Sequence, residues 1–300
     1  MLAVFLFLLA FCTCLAAGTQ FAAAYQQNEA VSMDEWLRAF TLFYKNPAGL
    51  AAGLPFALTL LGILLAHELG HFFACRHHHI RSSYPFFIPF PSLIGTFGAF
   101  ILIRSPMRTR RALFDVGASG PLVGFVLAVP ALIYGVLHSK FVPGLSDPNH
   151  AEIIYGNPLL LRLLDAILRP GISPNALLLP PIGRAAWVGL FATSLNLIPV
   201  AQLDGGHILR SVNPWLHRRA SLFLPAILFL VGVGGLWSTR FWNVWSFWAV
   251  VLFLMNFLRV APVHDSAALD PKRRWAAFIA LLVFLLSFMP APFFIPPSSP

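Results

Sequence analysis

Charge is what this sequence has least of. Eleven Asp and Glu and twenty Lys and Arg are spread over 300 residues, so charged side chains make up 10% of the chain and hydrophobic ones 58%. Soluble domains carry about 25% charged residues. With a mean hydropathy of +0.76, the chain cannot clothe a globule in polar groups, which excludes an ordinary water-soluble protein. Cysteine is nearly absent too. Cys12, Cys14 and Cys75 lie in or beside apolar stretches; three of them make no disulfide framework and read as small buried hydrophobes. There is no Gly-rich phosphate loop and no zinc-knuckle spacing. The net charge of +9 sits between apolar runs, so it speaks of membrane topology, and nucleic acid is not an expected partner.

What the chain does have is long apolar runs, at about 2–17, 47–75, 112–137, 185–200, 220–237, 241–260 and 275–295. Most approach the roughly 20 residues that cross a hydrocarbon core. The expected fold is an all-α polytopic membrane protein with six to seven transmembrane helices in the lipid bilayer. It forms a single integral membrane domain over 1–300, with its core expected at 50–210 and additional helices at 220–296. The run 2–17 lacks a basic leader and reads as a retained span. Residues 138–184 are a Pro-rich connection. Residues 84–104 mix aromatics, prolines and small residues around Gly95, Thr96, Phe97 and Gly98. That pattern predicts a membrane-inserted β-hairpin or re-entrant segment.

The basic residues sort by side. Thirteen of the twenty Lys and Arg fall on the side where the second run ends, among them Arg76, Arg104, Arg111, Arg210, Arg259 and Arg273. Seven fall on the other side, including Arg38, Lys140, Arg184 and Arg240. The first side is therefore the expected cytoplasmic one, and 138–184 is non-cytoplasmic.

Three polar side chains interrupt the second run in the stretch ILLAHELGH. His67 and His71 are one helical turn apart and share a face, so they can grip one metal ion. Glu68 points off that axis and can act on water. This is the H-E-x-x-H pattern of zinc hydrolases. With ten His and four Glu in the chain, chance gives it roughly 0.004 times. The plainer alternative is a hydrogen-bonded polar cluster between helices.

A catalytic zinc needs a third protein ligand and an open position. Cys75 and His78 lie roughly 6 and 10 Å further along the helix than His71, so the ligand is expected from another run. Asp115 and Asp204 are the acids available. Asp115 follows Arg111 at helical spacing near a helix start, where an ion pair and the dipole explain it. Asp204 sits in NLIPVAQLDGGHI, where Pro199 breaks the helix and Gly205-Gly206 free the backbone. It reads as a carboxylate presented to something, with an N-cap near Gly206 as the plain alternative.

HELGH at 67–71, LDGG at 203–206 and Asn196 within N-L-I-P resemble the site-2 protease family of intramembrane zinc metalloproteases. GASGPLVG at 117–124 looks like that family's small-residue helix, and 95–98 like part of its membrane-inserted loop. The resemblance implies one Zn²⁺ per chain, held by His67, His71 and Asp204. It implies Glu68 as general base, Asn196 holding the substrate backbone or oxyanion, and Gly95, Thr96, Phe97 and Gly98 near the substrate. Single-span membrane proteins are the implied substrates, and a prokaryotic cytoplasmic membrane the expected setting, with the site toward the cytoplasm. Residues 138–184 are too few for the PDZ domain many members carry. His77, His78 and His79 read as an interfacial basic patch. A catalytically silent homologue acting as a chaperone or regulator is the rival reading. A prenyl-protein protease would take a glutamate as third ligand, and the only Glu after residue 68 is Glu152. A metal transporter would spread its polar groups across the bilayer.

Overall fold

The computed structural model describes residues 1–31, 39, 41, 45, 47–145, 154–171, 176–237, 244–257 and 268–294. Arg38, Glu152, Arg240, Arg259 and both ends of the 241–260 run, which entered the sequence reading, lie outside them.

The chain opens with α1 (Leu2–Gln27). A 3₁₀ turn at Pro47–Gly53 leads into α2 (Leu54–His77), with a proline in its first turn. A hairpin of β1 (Phe86–Pro89) and β2 (Thr96–Phe100) follows. Then comes α3 (Arg110–Leu137), whose N-cap Thr109 accepts a hydrogen bond from the Ala112 N–H at 3.2 Å. Two short antiparallel pairs tie down the middle of the chain: β3 (Lys140–Phe141) with β5 (Leu177–Leu178), and β4 (Ile154–Tyr155) with β6 (Phe293–Phe294). Between β4 and β5 lies α4 (Leu159–Leu168). The remaining helices are α5 (Pro181–Asn196), α6 (Asp204–Val212), α7 (Pro214–Trp237), α8 (Val244–Met255) and α9 (Pro271–Ser287).

Four helical segments among the described residues are long and apolar enough to cross a membrane: Leu2–Gln27, Pro47–His77, Arg110–Leu137 and Pro214–Val233. Of the six to seven expected spans these are four; α5, α8 and α9 have 16, 12 and 17 residues among the described ones and fall below that length. The fold is also not purely α. The first run extends ten residues beyond its expected end, because Gly18, Thr19 and Gln20 are buried and continue the packed face of α1. The 138–184 connection contains α4, which is too short to read as a span.

The core lies between α2, α3 and α5. Phe56, Leu60, Ile63 and Leu64 of α2 pack with Ala128, Leu132 and Val136 of α3 and with Trp187, Leu190 and Phe191 of α5. Truncating a fully buried aromatic such as Phe56 costs about 3–5 kcal/mol. At the start of α5, Arg184 is buried against the rings of Phe21, Tyr155 and Trp187, with its guanidinium carbon 4.1 Å from the Tyr155 ring centre. By contrast α7 turns Leu222, Phe223, Ile227, Leu230 and Val231 outward. An apolar outer surface of this kind suits lipid.

The hairpin hangs on α1. Its register pairs Phe86 with Phe100, Phe87 with Ala99, Ile88 with Gly98, and Pro89 with Thr96, with a bulge at the last step. Gln20 Nε2 donates to the Leu93 carbonyl at 2.8 Å. Gly95, at φ 87°, lies so close to Cys14 that a Cβ would come within 2.6 Å of the Cys14 nitrogen. Both the left-handed backbone and the close approach require glycine there.

Candidate metal centre

The centre forms where α2, α3, α5 and α6 meet. The 3.6-residue period of α2 sets His67 and His71 on one face, with ring centres 4.9 Å apart, and both are buried. The opposing surface of α3 is cut away to receive them. A Cβ on Gly120 would overlap the His71 ring, and one on Gly124 would sit 3.2 Å from His67 Nδ1. Directly before His71 on α2, Gly70 lies against the Ser119 carbonyl of α3. The small residues of GASGPLVG therefore make room for imidazoles as well as for a helix.

The carbonyl of Val116 on α3 accepts a hydrogen bond from His71 Nδ1 at 2.7 Å. That bond places the proton on Nδ1 and leaves the Nε2 lone pair free, as a metal-binding imidazole requires.

Asp204 arrives from a different direction. Helix α5 ends at Asn196, the chain folds back through Pro199, and α6 starts at Asp204 itself. The turn is tight enough that a Cβ on Gly206 would lie 2.6 Å from the Val200 and Ala201 carbonyls. Asp204 Oδ2 ends 3.2 Å from both His67 Nε2 and His71 Nε2. It is the first residue of α6, not a side-chain cap. The ligand atoms of His67, His71 and Asp204 all lie within 4.8 Å of one another. Tetrahedral zinc, with bonds of about 2.0–2.2 Å, spaces its ligand atoms by about 3.3–3.5 Å. Two imidazole nitrogens and one carboxylate oxygen at this spacing fit zinc and leave the fourth position free.

Glu68 is buried beside the triad, with the backbone of Ile101 next to its carboxylate. This contact links the hairpin to the site. Leu102 and Arg104 turn their backbone groups toward residues 81–83. By the alternation of an antiparallel pair, Ala99 of β2 and Ile101 just beyond it turn theirs outward. Asn196 Nδ2 lies 3.2 Å from His67 Nε2.

Of the four hairpin residues singled out in the sequence, Gly95 packs on α1. The buried Thr96 hydroxyl donates to the Ile88 carbonyl and accepts the Gly98 N–H. Phe97 is exposed and paired with Phe90, their centroids 4.3 Å apart, and nothing faces the open side of Gly98. Only the second pair is free to meet a partner.

Asp115 is not the partner of Arg111 that helical spacing suggested. It pairs with His78 Nε2 at 2.7 Å and with the Arg273 guanidinium at 2.6 and 2.9 Å. Tertiary packing brings in a fully charged fork from α9, which displaces the weaker same-helix pair. His78 thereby leaves the interfacial patch. The Val116 carbonyl and the Ile101 backbone went unseen in the sequence, since backbone groups carry no residue signature.

The model of peptidase family M50 matches residues 55–239. Curated relatives include the probable zinc metalloprotease EGY2, chloroplastic, of Arabidopsis thaliana. It is 31% identical over 294 residues, covering 89% of this chain and 51% of that protein. The EGY2 of Oryza sativa subsp. indica is 31% identical over 300 residues, or 91% and 53%. The probable zinc metalloprotease EGY1, chloroplastic, of Arabidopsis thaliana is 36% identical over 164 residues, or 52% and 29%. The chain thus spans about half the length of the EGY2 relatives. Among solved structures there is no match. The chloroplastic names give the expected prokaryotic setting no support. With HELGH and LDGG folded into one centre inside the matched region, the chain belongs to peptidase family M50, the site-2 protease family.

Proposed function

We propose that this chain is an intramembrane zinc metalloprotease that hydrolyses peptide bonds in or near the transmembrane helices of single-span membrane proteins. The observation that carries the reading is the triad of His67, His71 and Asp204 with Glu68 beside it and one ligand position open. A site that only bound metal or helices would need no buried carboxylate next to the open position.

When bound, zinc supplies a Lewis acid that lowers the pKa of water toward about 7. Glu68 takes the proton of the attacking water. As the hydroxide oxygen bonds to the carbonyl carbon, the substrate oxygen gains charge. With His67 serving as a metal ligand, the Asn196 amide N–H beside it would be free to meet that oxygen. The C–N bond then breaks, and Glu68 passes its proton to the leaving nitrogen. A substrate helix hides its carbonyls in its own hydrogen bonds, so it must unwind first. The outward-facing backbone at Ala99 of β2 and at Ile101 just beyond it gives the unwound strand a place to pair. His71 lies five residues before Arg76 on the Arg-rich side, which favours access from the cytoplasmic face.

The test is metal content and cleavage of a single-span substrate in detergent. Wild type is expected to hold about one zinc per chain. Glu68→Gln should keep zinc and lose about 10²–10⁴-fold in rate. Zinc bound with no cleavage of any substrate by wild type would point instead to a silent homologue. Full activity in Glu68→Gln would overturn the mechanism.

A further inference from the structure

The turn that delivers Asp204 contains a residue in an unfavourable conformation. Ala201 has φ 52°, a left-handed backbone in which Cβ crowds the following carbonyl. Such a residue persists only where its surroundings hold it. Here both of its backbone polar groups are held by side chains from one face of α7. The Ala201 N–H donates to Ser221 Oγ at 3.0 Å, and the Ala201 carbonyl accepts from His217 Nε2 at 3.1 Å. His217 and Ser221 are spaced i, i+4, so one helical turn presents them together. Ser221 is in turn anchored, its carbonyl accepting from Asn256 Nδ2 at 2.6 Å.

The held peptide abuts the metal ligand's own helix. Gly206 lies against the Val200 and Ala201 carbonyls, the Leu203 N–H donates to the Val200 carbonyl at 3.2 Å, and α6 begins with Asp204 directly after. A rotation of the 200–201 peptide would therefore shift the first turn of α6 and carry the carboxylate with it. His67 and His71 are fixed separately on α2. Nothing on α2 compensates for a misplaced Asp204.

We infer that His217 and Ser221 are positioning residues for the metal site, clamping Ala201 in its left-handed conformation so that Asp204 meets His67 and His71. The inference rests on Asp204 being a zinc ligand. The clamp acts on geometry before any substrate arrives, so its effect is read on metal binding rather than on turnover.

The experiment measures the zinc dissociation constant of the full chain in detergent by chelator competition. It also records the visible absorption spectrum after Co²⁺ substitution and the Tm. Asp204→Ala is the reference. Ser221→Ala and His217→Ala should each weaken zinc binding about 10–100-fold and change the Co²⁺ spectrum. Adding Ala201→Gly to either should restore most of the affinity and the spectrum, because glycine adopts φ 52° without a clamp. His217→Gln, which keeps a side-chain N–H near the Nε2 position, should stay within about threefold of wild type, on the central magnitudes of such contacts. Where an alanine variant does not accumulate, Ser221→Cys keeps the volume with a weak acceptor and is read in the same way. Zinc affinity and spectrum unchanged in both alanine variants, with Asp204→Ala impaired, would overturn the clamp. A loss that Ala201→Gly does not rescue would assign these residues to general stability and overturn it equally. Unchanged affinity in Asp204→Ala would instead remove the metal-site reading beneath it.

Discussion

The centre depends on single atoms that the sequence does not spell. The pair His67 and His71 with Glu68 is legible because a helix period turns a five-residue word into a face. Asp204 is legible over Asp115 because Pro199 and Gly205-Gly206 mark a broken helix. The orientation of His71 is not legible, since it comes from the Val116 carbonyl at 2.7 Å and any residue at 116 carries one. Gly120 tests how tightly the imidazole is held. In an exposed helix interior, Gly→Ala stabilises by about 0.8–1.0 kcal/mol. Here the added methyl would overlap the His71 ring, which is fixed at its far nitrogen and cannot swing away. Gly120→Ala is therefore expected to lower zinc content well below one per chain by metal analysis while the far-ultraviolet circular dichroism stays helical. Gly62, whose Cβ would meet nothing within 4 Å, is the control: Gly62→Ala should keep its zinc.

At the scale of elements, apolar run length located the helices and misjudged their joints. The run at 275–295 is α9, but it starts at Pro271 because Asp270 caps it, accepting the Arg273 N–H at 2.9 Å. A stretch of Pro-Lys-Arg-Arg looks like a loop until the cap is seen. Arg273 then forks onto Asp115 of α3, which also holds His78 from the end of α2. These contacts latch α9 beside the metal-binding helices. Asp115→Asn keeps the shape and removes the charge. It should destabilise by about 1–3 kcal/mol, read as a lower Tm in detergent, with Arg273→Lys intermediate because an ammonium cannot fork. Asp270 gives a pH signature. The Arg273 backbone N–H, helped by its guanidinium, holds this carboxyl below the usual carboxylate range. A depressed carboxylate adds stability above its unfolded pKa of about 3.9 and loses it as pH falls through the folded value. Asp270→Asn keeps a good cap, so its Tm deficit should be present at neutral pH and vanish under acid conditions. A deficit that persists below about pH 3 would place the effect in the cap geometry rather than the charge.

At the scale of the whole molecule, sparse charge and long apolar runs announced a membrane protein. They could not announce that the chain leaving the hairpin would pass beside Glu68. Local residue chemistry predicted a hairpin around Gly95 to Gly98. What it could not show is that Gly95 and Thr96 fasten the hairpin to α1 and to itself, while the residue after β2, Ile101, lies beside Glu68. The outward-facing backbone is thus at Ala99 rather than at the glycines. Proline separates the two. At Ala99, opposite Phe87, the N–H turns away from β1, so a proline there removes an outward donor while leaving the β1 pairing in place. Ala99→Pro is expected to keep about one zinc per chain and a near wild-type Tm, and to lower cleavage of a single-span substrate at least tenfold, through the loss of one strand-pairing donor. A short soluble peptide that is already unwound depends less on strand pairing to reach the centre, and its cleavage should fall less. If Ala99→Pro cleaves the membrane substrate at the wild-type rate, the β2 edge takes no part in holding it, and the substrate must reach Glu68 from the open side of Phe97 and Gly98.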